Sequence, residues 1–400
     1  MADKVKGVRD FIGREAALRQ EVLRKIRESY TLFGFEPIET PSFEYLSLFT
    51  DKSGPEIESQ LYSFSDKKGE KLALRPEHTV SKLRAVSENR SLPKPFKVYS
   101  IGNVWRYEDT AKGRYREFTQ ADVDVYGSSS IMYDAEVIAC VDFALKKLGI
   151  KDYKIHINSR KILTALIESL GIEITAGMQV LREIDKIEKV GVDEIYSRIK
   201  GAIGDEKAER VKSYLDGKYT LDSDGYRDIK DVMDYLKMYG VENAVVDNAL
   251  VRGIDYYDGN IFEFISESKA YKGTIASGGR YDRLSEKFSV SMPIVGCSIG
   301  FDRVMDILME NPSDDFLNRY CVINIDNMEK AVEIAQRMRK KGVECDMFLE
   351  IAALSKGLDY CNSKRIRYAV IVGNKDLSEG KVTIRDLKER NDRKFPEAEI

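Results

Sequence analysis

The chain has 400 residues, 43% hydrophobic and 33% charged, with a net charge of −3, which suits a globular protein of two or three domains. No apolar run approaches the roughly 18 residues of a membrane span and no signal-peptide core opens the chain, so a cytoplasmic protein without a membrane partner is expected. Five cysteines without CxxC spacing and two histidines, His78 and His156, disfavour a disulfide framework, a structural zinc site or a multi-histidine metal centre.

Leu18, Val22, Ile26, Tyr30 and Phe33 recur at helical spacing, so residues 14–33 read as an amphipathic helix ended by Gly34. A strand over 35–40 should run into Pro41. Residues 97–126 alternate with period two, like a long hairpin with a polar tip at 109–114. A helix over 132–148 follows, then a Lys-, Glu- and Asp-rich stretch from 160 to 239 that is helical throughout. Strand signals return at 243–251, 260–265 and 274–277, with a helix after Gly300 and a breaker-rich linker at 311–315. Beyond it, strands at 320–325, 343–347 and 367–372 alternate with helices, which predicts a small α/β domain with a largely parallel sheet. The expected division is a catalytic core in two parts, 1–159 and 240–315, a helical insertion at 160–239, and a C-terminal domain at 316–400.

In the second arm of the hairpin, one face carries Arg116, Phe118, Gln120, Asp122 and Asp124. The other carries Glu117, Thr119, Ala121, Val123 and Val125 and turns apolar. On an average one-sided antiparallel strand the polar face is solvated. Here Arg106, Glu108, Lys112 and Arg114 lie on the opposite arm and tip, and arginines beside carboxylates suit a nucleotide phosphate chain, which guanidinium binds bidentately. Four further stretches stand out: Leu74-Arg75-Pro76-Glu77-His78-Thr79, residues 250–259 (LVRGIDYYDG), residues 277–282 (SGGRYD) and residues 296–303 (GCSIGFDR). If the first is extended, Glu77 and Thr79 point one way and His78 the other. The paired glycines of the third would let a ligand approach the backbone, although a Gly-Gly turn is the commoner explanation. In the last, alternating small residues would leave room for something flat above a sheet. Its Gly-x-Ser-x-Gly pattern is read as packing rather than as a nucleophile elbow, because neither histidine has a partner in a recognisable triad.

In this order the segments resemble those of class II aminoacyl-tRNA synthetases, and closely the histidyl-tRNA synthetase family. Residues 35–43 resemble motif 1, residues 104–126 motif 2 and residues 295–304 motif 3, while LRPEHT, LVRGIDYYDG and SGGRYD resemble the histidine-specific segments. The resemblance covers nearly the whole chain. It implies an α+β catalytic domain with an antiparallel sheet, a helical insertion and a C-terminal α/β anticodon-binding domain, assembled as a homodimer through motif 1.

The activity so implied joins L-histidine to ATP as histidyl-adenylate, with Mg²⁺, and moves the histidyl group to the 3′ end of tRNA(His). By the same resemblance Arg106 and Arg252 are catalytic. Arg106, Glu108, Arg114, Arg116 and Arg303 hold ATP. Glu77, Thr79, Gln120, Asp124, Arg252, Tyr256 and Tyr257 line the histidine pocket, Asp124 standing where bacterial members usually have Glu. His78 is read as structural. The final helix expected of the C-terminal domain is cut short at 396–400. A non-catalytic relative, the histidine-sensing regulatory subunit of ATP phosphoribosyltransferase, is the alternative.

Overall fold

The computed structural model describes residues 3–50, 58–251, 256–310, 317–350 and 353–400. The chain divides into two compact units, Met1–Asn311 and Pro312–Ile400; the predicted linker at 311–315 lies outside the described residues.

The first unit is built on eleven strands: β1 (Glu36–Pro37), β2 (Phe43–Tyr45), β3 (Ser63–Ser65), β4 (Lys71–Leu74), β5 (Phe96–Trp105), β6 (Glu117–Tyr126), β7 (Tyr153–Ser159), β8 (Ala244–Val246), β9 (Asn260–Ser266), β10 (Gly273–Arg280) and β11 (Ile294–Gly300). Eight form one sheet in the order β1-β5-β6-β11-β10-β9-β7-β8. The six central strands pair antiparallel, and each edge strand runs parallel to its neighbour. Strands β2, β4 and β3 make a small separate sheet.

Both faces of the large sheet are covered, which changes what alternation means for β6. Ala121, Val123 and Val125 pack with Val22, Ile26 and Tyr30 of helix Arg14–Leu32 and with Val137, Ile138 and Val141 of helix Met132–Lys147. The Tyr30 hydroxyl donates to the Ala121 carbonyl at 2.9 Å and pins that helix to the sheet. The opposite face lies under helix Thr79–Glu88 and the 3-10 helix Asp282–Phe288, where Val98, Tyr126, Leu83, Val86, Tyr281 and Leu284 cluster. The polar row of β6 is therefore covered rather than solvated, with Asp122 and Asp124 only 4% and 3% exposed.

Two predicted strands shrink. The strand over 35–40 reduces to Glu36–Pro37, closed by the Ile38 N–H donating to the Tyr99 carbonyl at 2.9 Å. The strand over 243–251 reduces to Ala244–Val246, because the Asp247 carboxylate accepts the Ala249 N–H at 2.9 Å and turns the chain. Between Arg160 and Met238 the described backbone forms helices only.

The second unit has five strands: β12 (Leu317–Asn324), β13 (Cys345–Phe348), β14 (Ile366–Val372), β15 (Lys381–Asp386) and β16 (Asn391–Pro396). Their order is β13-β12-β14-β15-β16. The first three are parallel and the last two antiparallel, so the sheet is mixed rather than largely parallel. No truncated helix ends the chain. Residues 381–396 form a hairpin, followed by a single 3-10 turn at Glu397–Glu399. Val382 enters the core with Val322 and Val370, whereas Arg385 on the other face pairs with Asp392 at 2.6 Å.

Candidate active site

The β5–β6 hairpin runs in register from Phe96↔Tyr126 to Trp105↔Glu117. The Arg106 N–H, donating to the Arg116 carbonyl at 2.9 Å, carries the pairing one step further. The Arg106 guanidinium lies 5.4 Å from the Phe118 ring and 3.9 Å from Glu108, and its Nε donates to the Pro76 carbonyl at 2.9 Å. Arg116 stacks 4.1 Å over Tyr107. At the tip, Ala111 and Arg114 bridge, and Gly113 has φ +73°. That turn brings the Gly113 carbonyl to Arg303 Nε at 3.4 Å, while Arg303 also donates to the Thr274 carbonyl at 2.8 Å. Lys112 donates to the Ala270 carbonyl at 2.7 Å. The tip is thus docked on the β9–β10 connection and beside Arg303, which itself bonds to β10, and the arginines of two distant segments come together.

A further element was not legible beforehand. The Gly7 carbonyl accepts the Arg116 N–H at 2.9 Å, in a backbone approach so close that a Cβ on Gly7 would stand 2.7 Å from Arg116 Cγ. Arg9 lies 3.3 Å over the Tyr115 ring and donates to Asp302 at 2.6 Å. Arg19 donates to the same Asp302 oxygen at 2.6 Å, and the other oxygen accepts the Thr119 N–H at 2.8 Å. Asp302 precedes Arg303, so the N-terminal segment ties the hairpin to the Arg303 helix.

The segment of Glu77 is not extended. It turns, and Glu77 caps helix Thr79–Glu88, accepting the Val80 N–H at 3.0 Å and the Thr79 N–H. Burial pushes the Glu77 carboxyl up and these amides oppose it. Thr79 is the first residue of the helix, facing the same end. The His78 Nε2 lies 3.3 Å from the Gly102 carbonyl, and burial pushes the ring down to about 4, so it is neutral.

Along β6, Gln120 lies between Gly102 and Gly300, Asp122 between Ser100 and Ser298, and Asp124 between Val98 and Gly296. The room left by Gly296 is filled by the protein itself: a Cβ there would stand 2.1 Å from Asp124 Oδ1. Gly278 likewise faces the Gly296 carbonyl and Gly279 the Asn260 carbonyl, so these glycines serve strand packing rather than a ligand. The Tyr281 hydroxyl donates to Asp124. Lys82, fully buried, donates to Asp124 and, at 3.1 Å, to Asp122. Burial raises the Asp124 carboxyl despite Lys82, whereas at Asp122 burial, the largest single influence, is outweighed by Lys82 together with the other neighbours and the carboxyl falls. Arg280 is structural: it is buried against Asp134 and the carbonyls of Ser128 and Ser130.

The Tyr256 and Tyr257 rings lie 4.5 Å apart, tilted by 51°, with hydroxyls 3.3 Å apart, and both meet Tyr281 edge-on, at 5.7 and 6.0 Å. Burial pushes Tyr256 up to about 12, opposed by its bond to Tyr257, and it feels the charges of Glu77 and Arg106. The two tyrosines also wall a cleft of about 490 Å³ shared with Arg160, Thr164 and Glu168 of the helical insertion. Arg252 lies outside the described residues. Of the remaining predicted residues, Asp124 meets Lys82 and Tyr281 and both Tyr256 and Tyr257 meet Tyr281, Glu77 and Thr79 stand at the start of the helix that carries Lys82, and Gln120 lies further along the same face of β6. Arg106, Glu108, Arg114, Arg116 and Arg303 gather around the hairpin tip. The Arg106–Pro76 bond joins the two groups, because Pro76 adjoins Glu77.

This fold, with an arginine-bearing hairpin docked beside a strand–helix arginine, defines a class II aminoacyl-tRNA synthetase. The family model described as histidyl-tRNA synthetase matches residues 7–304, and one described as anticodon binding domain matches 320–400. The chain belongs to the histidyl-tRNA synthetase family. It is 38% identical to the histidine–tRNA ligase of Thermococcus kodakarensis, over 96% of this chain and 94% of that one. The histidyl-tRNA synthetase structure from Nostoc sp. PCC 7120 superposes with a TM-score of 0.86 at 26% identity, over 98% and 96% of the two chains. A Bacillus halodurans protein described as an ATP phosphoribosyltransferase regulatory subunit/histidyl-tRNA synthetase shares the fold at 23% identity and a TM-score of 0.79, covering 93% and 98%.

Proposed function

We propose that this protein is a histidine–tRNA ligase, working in the cytoplasm as a homodimer, which activates L-histidine with ATP and esterifies tRNA(His). The observation that carries the reading is the join at Arg106. One guanidinium touches the backbone beside Glu77, in the amino-acid pocket, and stands on the hairpin that presents Arg114 and Arg116.

An amino-acid carboxylate, with a pKa of about 3.5, is already ionised and needs no general base. The obstacle is an anion approaching the α-phosphate, and fixed cations remove it. Arg106 holds the α-phosphate and Arg252 sits between it and the attacking carboxylate. Arg114, Arg116 and Arg303 hold the β- and γ-phosphates, with Glu108 near the adenine. A carboxylate oxygen bonds to the α-phosphorus, the α–β anhydride bond breaks, and pyrophosphate leaves. A ribose hydroxyl of the tRNA 3′ end then attacks the acyl carbon and AMP departs.

Mg²⁺ would come to this site with the ATP phosphates, beside Arg106, Arg114, Arg116 and Arg303, and would supply charge neutralisation there. Among the described residues no three acidic, histidine or cysteine groups come together as a cage. Glu77 and Thr79 take the histidine ammonium, Gln120 lines the pocket with Tyr256, and Asp124 and Tyr257 read the imidazole. Reading polar edges with buried partners rejects analogues that lack them.

The test is ATP–pyrophosphate exchange across the amino acids. Histidine should drive it, and exchange driven by another amino acid but not by histidine removes the reading. Arg252→Ala should lower adenylation by about 10²–10³, the size of a lost oxyanion-type donor; a near-normal rate removes Arg252 from the mechanism. Sedimentation should give a dimer, and a fully active monomer contradicts the assembly.

A further inference from the structure

Lys82 is 0% exposed. An ammonium is almost never so placed unless paired. It lies on the inward side of helix Thr79–Glu88 with Leu83 and Val86, where an apolar side chain would serve the fold as well. Replacing buried ion pairs by apolar residues is often neutral or stabilising, so stability does not explain this lysine.

The charge balance does. Asp122 and Asp124 lie two residues apart on the same face of β6, both buried, and Lys82 donates to both. Around Asp124, burial keeps Tyr126, Tyr257, Tyr281 and Cys297 neutral. The Arg75 guanidinium acts on Asp122 from further off, and His78, uncharged at neutral pH, lies beside it. Lys82 is the cation hydrogen-bonded to the pair. Two carboxylates so close in a dry site cannot both stay ionised without one. A protonated Asp124 would turn from acceptor to donor, and a substrate N–H would face an O–H.

We propose that Lys82 is a positioning residue of the amino-acid pocket, which keeps Asp124 an ionised and aimed acceptor for the substrate's imidazole N–H although Asp122 lies beside it. This rests on the reading of Asp124 as the imidazole reader.

The experiment is histidine-dependent ATP–pyrophosphate exchange with the full chain. Lys82→Met should raise the KM for histidine about 10–100-fold, the range of one charge-assisted hydrogen bond. Its kcat at saturating histidine should stay within about threefold and its KM for ATP should not move. Adding Asp122→Asn removes the repelling charge and should return the histidine KM to within about threefold of the parent, a rescue that loss of packing would not give. If Lys82→Met does not fold, Lys82→Gln carries the same expectation, with the same rescue. An unchanged histidine KM in the folded single variant, or a double variant no better than the single, overturns the proposal. Asp124→Asn separates the two layers. If it leaves the histidine KM unmoved, the reading of the pocket falls and the proposal with it; if it raises that KM while Lys82→Met does not, only the role of Lys82 falls.

Discussion

Gly296→Ala tests the geometry of the pocket most directly. The added Cβ would lie 2.1 Å from Asp124 Oδ1, 2.8 Å from Asp124 Cγ and 3.0 Å from the Val123 carbonyl. The carboxylate oxygen must move by roughly 1 Å to regain van der Waals distance, and a displacement of that size in a reacting constellation costs on the order of 10²-fold. The same movement lengthens the Tyr281 bond to Asp124, and overpacking of this kind destabilises by about 1–3 kcal/mol. The expected result is a kcat/KM for histidine lowered about 100-fold in pyrophosphate exchange, with the KM for ATP within about twofold and a cooperative urea transition retained. Gly278→Ala should behave differently, because its Cβ would meet backbone, the Gly296 carbonyl at 2.2 Å and Cys297 Cα at 2.7 Å. It should fail to give folded protein rather than lose histidine selectively. A folded Gly296→Ala with parental histidine KM refutes the placement of Asp124.

Arg9→Ala removes the stack on Tyr115 and an ion pair to Asp302; the KM for ATP should rise about tenfold, a loss of some 1.4 kcal/mol within the cation–π and buried-pair range, while an unchanged value dissociates the N-terminal segment from the nucleotide site. His78 titrates near 4 in the fold and near 6.5 when unfolded, so the unfolded chain binds the proton first as pH falls. Its contribution is complete above about 6.5 and declines down to about 4, by roughly 3 kcal/mol. Urea titrations at pH 7 and pH 4 should show His78→Gln losing that much less than the parent, and equal losses would contradict it. Arg280→Met leaves Asp134 buried without its cation and should cost about 3–5 kcal/mol in the same measurement, most of it recovered when Asp134→Asn is added; a loss under 1 kcal/mol would show the pair to be dispensable.

The hairpin was legible because a period of two and its arginines survive in one short segment. Asp124 was placed on the right face of β6, but the covering of that face by helix Thr79–Glu88 was not visible, since nothing local distinguishes a solvated polar row from a roofed one. Lys82 left a signal that alternation alone does not read: a charge on the helical stripe it shares with Leu83 and Val86. Arg19 leaves the same signal beside Val22 and Ile26. Glu77 was misread as extended because the helix it caps begins only two residues later, and a glutamate is not among the usual capping residues. The hairpin at 381–396 carried its own alternation, Val382 and Ile384 against Thr383 and Arg385, although no strand was expected beyond 372. The bonds from Arg9 and Arg19 to Asp302 span 293 and 283 residues, and no single-sequence pattern connects such positions.

That span has a consequence for how the protein comes into being. Asp302 lies 293 residues along the chain from Arg9, so a growing chain has no seat for Arg9 until residue 302 has been synthesised and docked. Closing so long a loop adds little entropy per added residue but delays the contact until the sheet between is assembled. The tie between the N-terminal segment and the hairpin is therefore a late contact, made only once the strands between them are in place.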